Sequence, residues 1–118
     1  MHLPQDAMLL RIFIGENDKH EGRPLYEAIV LAAREAQLAG ATVIRGPMGF
    51  GASSRLHTAK ILRLSEDLPL VIEIVDTVEK IDGFLPALDR MMTTSGLVTL
   101  EKVQVIRYGR NGPGPAGS

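Results

Sequence analysis

The amino-acid sequence predicts an α+β fold, a ferredoxin-like βαββαβ sandwich formed by one domain. Strand and helix patterns follow one another as β-α-β, a long loop, and β-α-β again. Two right-handed split βαβ units of this kind place four strands in one antiparallel sheet, with both helices on one face. A length of 118 residues suits a single domain, and a hydrophobic fraction of 45% is sufficient for a core. We expect this domain to span residues 8–108.

The chain that follows the predicted domain differs in composition. Residues 109–118 contain four glycines, two prolines and no core-forming residue. Because such a composition favours an unfolded chain, we predict a disordered tail.

The first half of the chain alternates between strand and helix patterns. Residues 8–15 carry apolar side chains at every second position, which predicts a strand, and the polar residues 16–22 predict a loop. Pro24 suits the first turn of a helix and Gly40 suits its C-cap. The apolar stripe of this helix comprises Leu25, Ile29, Ala32 and Ala36. Residues 41–45 predict the second strand.

The second half repeats this order after a long loop at 46–65. A third strand follows Pro69, and its inward face comprises Leu70, Ile72 and Ile74. Asp76 and Glu79 have the spacing of a capping box, which predicts a helix N-cap at Asp76. The apolar stripe of this second helix comprises Ile81, Leu85, Leu88 and Met92. Gly83 and Pro86 lie within it and predict a kink or a later helix start.

The last predicted element is an extended segment over 97–108, in which the apolar pattern changes phase. Val98 and Leu100 share one parity, whereas Val103 and Val105 share the other. A slip of one residue at 101–102 would produce this change, so we predict a β-bulge or a break into two strands.

The strand patterns also leave apolar side chains on the sheet face that the helices do not cover. These side chains are Leu9, Phe13, Val71 and Val75. An exposed patch of this kind usually marks an interface, so we expect an obligate homo-oligomer. A trimer whose sheets face inward would cover all three patches at once.

Composition and charge exclude several classes of protein. The formal net charge is -1, whereas a dedicated DNA-binding module is normally basic. Aromatic residues make up only 4% of the chain and provide no platform for stacking bases, so we expect no nucleic-acid partner. The absence of cysteine excludes a disulfide scaffold, a thiolate zinc site and a cysteine nucleophile. Residues 1–4 begin no signal-peptide pattern, and we expect a cytoplasmic protein.

The acidic residues are unevenly distributed, and the 29 residues from 37 to 65 contain none. Within this window, residues 46–58 combine glycines with hydroxyl side chains and Arg55. Glycine lets backbone N–H groups approach an anion closely, and arginine can bind phosphate through two hydrogen bonds, so this composition suits a phosphate. Neither a Walker A motif nor a dinucleotide-binding fingerprint is present. The alternative is a surface loop whose glycines only make turns.

The acidic loop before the first predicted helix is a second candidate site. Its ionisable members include Glu16, Asp18, His20 and Glu21. These residues could bind a divalent metal or act as acid and base, but a solvated turn before a helix N-terminus would have the same composition. We favour the turn because no metal-ligand spacing is present. Ser53 and Ser54 have no identifiable base partner, so we expect no catalytic triad and no enzymatic activity.

Several blocks of this sequence resemble those of one uncharacterised bacterial and archaeal family of PII-like proteins. The blocks are GENDK at 15–19, PLY at 24–26, GATV at 40–43, RGPMGFG at 45–51, LSEDLP at 64–69 and GLVT at 96–99. Together they cover nearly the whole predicted domain. The resemblance implies a ferredoxin-like subunit that assembles as a homotrimer, like PII signalling proteins and CutA proteins. It also implies an adenine nucleotide in the clefts between subunits and a flexible T-loop that engages a protein target.

On this chain, the resemblance places the T-loop at 46–65 and a second phosphate-side loop at 93–99. The nucleotide-binding residues it implies are Gly46, Met48, Gly49, Phe50, Gly51, Ser54 and Arg55 of one subunit, with Thr93, Ser95 and Gly96 of its neighbour. The expected ligand is AMP, ADP or ATP, and no cofactor is obligatory. Because the T-loop contains no tyrosine, the modification that PII proteins accept on a T-loop tyrosine is not expected.

The leading hypothesis is therefore a non-enzymatic trimeric sensor that binds an adenine nucleotide and signals through its T-loop. Its target is an unidentified protein, for which a membrane transporter is one candidate class. The main alternative is a CutA-like trimer that responds to a metal or small ion through Glu16, Asp18 and His20 or His57. A phosphate-ester hydrolase that uses Glu16 or Asp18 as general base ranks last.

Overall fold

The computed structural model describes residues 5–50, 56–58, 68–93 and 96–109. The strands in these ranges are β1 (Gln5–Gly15), β2 (Lys19–His20), β3 (Arg23–Pro24), β4 (Thr42–Arg45), β5 (Met48–Phe50), β6 (Leu56–Thr58), β7 (Pro69–Asp76) and β8 (Leu97–Val105). The helices are α1 (Leu25–Glu35) and α2 (Val78–Met91). The tail predicted from 109 onward lies outside the described residues apart from Gly109 itself.

Four of the strands form one antiparallel sheet in the order β4-β7-β1-β8. Each helix connects two strands that are not hydrogen-bonded to each other: α1 leads from β1 towards β4, and α2 leads from β7 to β8. This is the strand order of two interleaved split βαβ units. The predicted α+β fold, with a four-stranded antiparallel sheet and two helices, is confirmed.

The core lies between the helices and one face of the sheet. Leu10 and Ile12 of β1 are fully buried and stand opposite Ile74 and Ile72 of β7 in the register. Ile29 of α1 and Ile81, Phe84 and Leu88 of α2 join them in one cluster. Burying each such side chain contributes about 1.5–3 kcal/mol, so these central strands and the helices hold the domain together. The predicted inward face of β7 is therefore confirmed.

Helix α1 ends earlier than the glycine pattern predicts. Its C-cap is Ala36, and Gln37 takes the left-handed conformation with φ of 61°. The Gln37 N–H donates to Arg34 O at 3.0 Å, and the Leu38 N–H donates to Ala33 O at 3.1 Å. These two bonds make a Schellman motif, in which Leu38 adds a contact with the core. Gly40 as the C-cap is therefore wrong, and the chain turns where Leu38 can be buried.

The burial of α1 also departs from the predicted stripe. The side chains that are buried are Leu25, Ala28, Ile29 and Ala33. Ala32 is half-buried and Ala36 is exposed. The early end of the helix explains this difference, because Ala36 already lies outside the last helical turn.

The N-cap of α2 is Thr77, and not Asp76 as the capping-box spacing predicts. The Thr77 hydroxyl accepts a hydrogen bond from the Lys80 N–H at 3.2 Å. Asp76 is the last residue of β7 and is 4% exposed. Its carboxylate accepts from the Thr77 N–H at 2.7 Å and from the Ala39 N–H at 2.8 Å. Asp76 therefore joins the end of the strand to the loop that follows α1.

The predicted late start of α2 is wrong, because the helix runs from Val78 through Pro86 to Met91. Proline removes the hydrogen bond that its N–H would donate to the carbonyl of Asp82, four residues earlier. Asp82, Gly83 and Pro86 are all exposed, so water can solvate the freed carbonyl. The proline thus lies on the one face of the helix where it does least harm.

Strand β8 pairs with β1 without a bulge, from Phe13 opposite Leu97 to Gln5 opposite Val105. The predicted slip at 101–102 is therefore wrong. β8 is an edge strand, and most of its side chains remain exposed on both faces. Its apolar residues can move from one face to the other because neither face of this strand is fully covered. The strand also ends at Val105 rather than reaching Tyr108.

Both loops predicted from polar composition contain short paired strands. β2 pairs with β3 just before α1, within the end of the predicted acidic loop. β5 pairs with β6 inside the predicted T-loop. Residues 51–55 and 59–67 of that region lie outside the described residues. Within the described part of the chain, neither helix is both long and apolar enough to cross a bilayer.

Candidate functional site

The glycine-containing loop leaves the sheet at the end where β4 stops and β7 begins. Gly46 follows the last residue of β4, and its N–H donates to Pro69 O at 2.7 Å. The Glu16 N–H donates to Leu68 O at 2.7 Å and ties the end of β1 to the same place. These two bonds hold both stems of the loop against the acidic loop, so the two candidate regions of the sequence lie next to each other.

Gly46 has a packing reason to be glycine. A Cβ atom at this position would lie 3.1 Å from Cγ of Pro69, closer than side chains normally approach. Its N–H is already hydrogen-bonded to Pro69 O. Gly46 therefore brings two strands together at the loop stem, and its N–H could reach a phosphate only by giving up that bond.

Arg45, the last residue of β4, forms an ion pair with Glu16. Arg45 Nη2 donates to Glu16 Oε2 at 2.5 Å. The Arg45 side chain is 60% exposed and the Glu16 side chain 25% exposed. Neither residue is among the predicted nucleotide-binding positions, although Arg45 immediately precedes the glycines. The signal that could have identified it is this position: a cation at the end of a strand, at the entrance to a loop suited to phosphate.

The acidic loop is organised by hydrogen bonds and not around a metal site. Asp18 Oδ2 accepts from the Gly15 N–H at 2.9 Å, and the Asp18 carbonyl accepts from the Leu25 N–H at 2.7 Å, where α1 begins. His20 Nε2 lies 3.9 Å from a Glu21 carboxylate oxygen. Among the described residues, no three acidic or histidine side chains are grouped so that they could hold a metal ion. The side chain of His57 lies outside that description.

The second predicted loop lies between α2 and β8. Thr93 is exposed, and Ser95 lies outside the described residues. Gly96 has a φ of 113°, and a Cβ there would lie 2.3 Å from Met92 Cε and 3.2 Å from Phe13 O. Gly96 is thus required for the chain to enter β8, whether or not a ligand contacts it.

The remaining predicted positions belong to the β5 region. Met48, Gly49 and Phe50 form β5, and Gly49 stands opposite His57 of β6. Part of the predicted cradle is therefore a strand whose backbone groups take part in pairing. Gly51, Ser54 and Arg55 lie outside the described residues.

The two predicted loops open at the same end of the sheet but at opposite edges. Gly46 follows β4 and Gly96 precedes β8, with β7 and β1 between them. Three strand spacings separate the two edges by about 14 Å. Within one copy of the chain, the two loops therefore do not converge on one phosphate group.

A separate groove of about 760 Å³ lies at the opposite end of the sheet. The segment after β8 crosses there, and the Tyr108 hydroxyl donates to Ala39 O at 2.7 Å. Its lining includes three carboxylates, from Asp6, Glu73 and Asp76, but only one basic residue, Arg107. This balance disfavours an anion, so the groove does not compete with the glycine loop as a phosphate site.

The sheet face opposite to the helices carries exposed apolar side chains around a charged centre. Phe13 and Val75 are each 36% exposed, Ile44 is 48% and Leu97 is 57%. Between them, Arg11 Nε lies 2.9 Å from a Glu73 oxygen, and Arg11 Nη1 lies 3.6 Å from a Glu101 oxygen. We call this surface the open face. The predicted apolar patch lies here and remains uncovered in a single copy of the chain.

Comparison with known proteins assigns the chain to a family. The family model DUF190, described as "Uncharacterized ACR, COG1993", matches residues 7–105. The chain belongs to this family. A UPF0166 protein of Aquifex aeolicus is 42% identical over 98 residues, which are 83% of this chain and 91% of that protein. A second, from Methanocaldococcus jannaschii, is 35% identical over 101 residues, 86% of this chain and 93% of that protein.

The solved structures that resemble this DUF190 protein are PII-like. CPII from Thiomonas intermedia K12, a nitrogen regulatory PII-like protein bound to ADP, AMP and bicarbonate, superposes with a TM-score of 0.62 at 19% identity. The match covers 89% of this chain and 92% of CPII. A PII-like signalling protein from Thermus thermophilus has a TM-score of 0.62 at 13% identity, over 87% of this chain and 92% of that chain. At these identities the likeness shows the fold, and the predicted PII-like resemblance is confirmed.

Proposed function

We propose that this DUF190 protein is a PII-like regulatory protein that binds an adenine nucleotide between the subunits of a homotrimer. AMP, ADP or ATP would bind at the stem of the glycine-containing loop. That loop, the T-loop at 46–65, would carry the signal to a protein target. The protein would act by binding, without turning over its ligand.

The placement of the two predicted loops carries this proposal. They open at one end of the sheet from opposite edges, β4 and β8. When copies of the chain associate side by side, the β4 edge of one copy can approach the β8 edge of the next. Gly46 and Arg45 of one subunit would then face Thr93 and Gly96 of its neighbour. A cleft of this kind needs both edges, which a single copy does not bring together.

Arg45 supplies the chemistry for a phosphate at this position. Its guanidinium is 60% exposed and lies directly at the loop stem. Arginine binds phosphate through two parallel hydrogen bonds that are stronger than neutral ones. Because the Gly46 N–H donates to Pro69 O, the first phosphate contact at the stem would come from Arg45 rather than from that glycine. ADP and AMP in the related CPII structure support an adenine nucleotide as the ligand.

Isothermal titration calorimetry with AMP, ADP, ATP and cyclic AMP tests the proposal. We expect saturable binding of at least one nucleotide, with one site per chain. In Arg45→Gln, affinity should fall about 10- to 100-fold, because a hydrogen bond to a charged group contributes about 1.5–3 kcal/mol. Arg34→Gln is the matched control, since Arg34 is exposed in the last turn of α1, away from the loop stem. Absence of heat with all four nucleotides would refute the proposal.

Two further measurements separate sensing from catalysis and a trimer from other assemblies. Prolonged incubation with ATP, followed by chromatography of the nucleotides, should show no hydrolysis. Light scattering coupled to size-exclusion chromatography should give a mass three times that of the 12.8 kDa chain. Turnover of ATP would favour a hydrolase instead.

A further inference from the structure

We propose that Glu16 is a built-in competitor of the phosphate at Arg45 and thereby sets the nucleotide affinity of the site. This inference rests on the proposed function, because it takes the stem of the T-loop as the phosphate position. It adds a specificity-determining residue that does not need to touch the nucleotide. In the ligand-free protein, the carboxylate holds the guanidinium, and binding a phosphate exchanges one anion for another.

The geometry places Glu16 on the atoms that a phosphate would use. Glu16 Oε2 lies 2.5 Å from Arg45 Nη2 and occupies one arm of the guanidinium fork. A phosphate that binds with both arms requires this oxygen to leave. The Arg45 side chain is the more exposed of the two, so an anion from solvent reaches the guanidinium without first displacing the backbone.

The exchange involves only the Glu16 side chain, because neighbouring hydrogen bonds hold the backbone. The Glu16 N–H donates to Leu68 O at 2.7 Å, and the preceding Gly15 N–H donates to the Asp18 carboxylate at 2.9 Å. The carboxylate can rotate away from Arg45 while these bonds remain. The loop stem therefore has two side-chain states, with Arg45 bound either to Glu16 or to an external phosphate.

Charge explains why the competition changes affinity. A carboxylate carries one negative charge and compensates Arg45 before any ligand arrives. A terminal nucleotide phosphate has more charge and three acceptor oxygens, so it can win this exchange. The displaced carboxylate remains nearby and repels the bound phosphate. Both effects weaken binding, and removing the Glu16 charge removes both.

Titration of ADP into wild type and Glu16→Gln by calorimetry tests this inference. Glutamine keeps the size of the side chain and removes its charge. We expect ADP to bind about fivefold more tightly to Glu16→Gln, the upper range for a partly exposed ion pair. Glu21→Gln is the matched control, because it removes the same charge from the same loop at a side chain that is 84% exposed. Its ADP affinity should change less than twofold.

The double variant Arg45→Gln/Glu16→Gln identifies the path of the effect. If Glu16 acts through Arg45, its substitution should give no gain in ADP affinity when Arg45 is absent. Glu16→Ala provides a second removal of the charge, and far-UV circular dichroism checks that each variant is folded.

The outcomes distinguish this inference from the proposed function. Equal ADP affinity in wild type and both Glu16 variants, or weaker binding in the variants, overturns the competitor role but leaves a nucleotide site in place. If ADP, AMP and ATP bind to none of the proteins, the proposed function fails and this inference fails with it. A gain that persists without Arg45 also overturns the inference, because the effect would then be a general change in charge.

Discussion

Replacing Gly96 with alanine should destabilise the protein through the backbone, without any contribution from a ligand. Gly96 has a φ of 113°, a region in which side chains other than glycine are strained. It joins the end of the second predicted loop to β8. The same residue is also among the positions that the PII resemblance implies for nucleotide binding, so the two roles need to be separated.

The magnitude follows from the atoms around the missing side chain. A Cβ would lie 2.3 Å from Met92 Cε, 3.2 Å from Phe13 O and 3.3 Å from Ile14 Cγ2. Met92 can move the end of its side chain, but the Phe13 carbonyl belongs to the central strand β1 and cannot move far. Backbone strain of about 1–3 kcal/mol, together with this crowding, gives an expected loss of about 2–4 kcal/mol.

Differential scanning fluorimetry without nucleotide, at one fixed protein concentration, measures this loss. Fixed concentration matters because the melting temperature of an oligomer depends on it. A loss of this size should lower Tm by about 10–20 °C in a domain of this length. Gly83→Ala is the matched control: Gly83 is exposed within α2, and a Cβ there meets nothing within 4 Å. It should raise stability by about 0.5–1 kcal/mol, since alanine is the better helix former.

Two substitutions of the same chemical kind are thus expected to act in opposite directions. If the Tm of Gly96→Ala stays within about 2 °C of wild type, a shift that corresponds to well under 1 kcal/mol, the argument from φ and contact distance is wrong. In that case Gly96 would have to be explained by something other than the entry into β8.

Three further substitutions test the core, the strand end and the open face. Phe84→Ala should lose about 3–5 kcal/mol in chemical denaturation, because Phe84 is 2% exposed at the centre of the core; a loss below 1 kcal/mol would contradict its placement. Asp76→Ala should lose about 1–3 kcal/mol, because two buried N–H groups, of Thr77 and Ala39, lose their acceptor; an unchanged denaturation midpoint would show that water replaces the carboxylate. Phe13→Asp on the open face should reduce the mass measured by light scattering towards that of one chain. Leu31→Asp, at an exposed position of α1, is its control and should leave that mass unchanged, whereas the same mass in both variants would argue against the open face as the interface.

The central strands could be predicted well because their burial has a simple period. Leu10 and Ile12 on β1 and Leu70, Ile72 and Ile74 on β7 all face the helices, as alternation predicts. Strand β8 was mispredicted because the same rule requires one face to be buried. β8 is an edge strand that is exposed on both faces, so its apolar residues do not report where the backbone turns.

The helix ends were less predictable because several residues nearby have the required chemistry. Asp76 and Thr77 are both good N-caps, and the choice depends on Ala39, whose N–H needs the Asp76 carboxylate. Gly40 is the residue best suited to a left-handed turn, yet Gln37 adopts that conformation because Leu38 then reaches the core. In both cases a contact with a distant residue outweighs a local preference.

For the candidate site, the sequence by itself determined the α+β class, the buried faces of β1 and β7, and a phosphate-suited loop in a window without acidic residues. Periodicity and composition are local properties, and they can be read without knowing which strands are neighbours. Only the tertiary structure decided that Arg45 pairs with Glu16, 29 residues away, and that the two predicted loops open from opposite edges of one sheet. Strand order determines both facts, and it depends on how the whole chain buries its apolar surface.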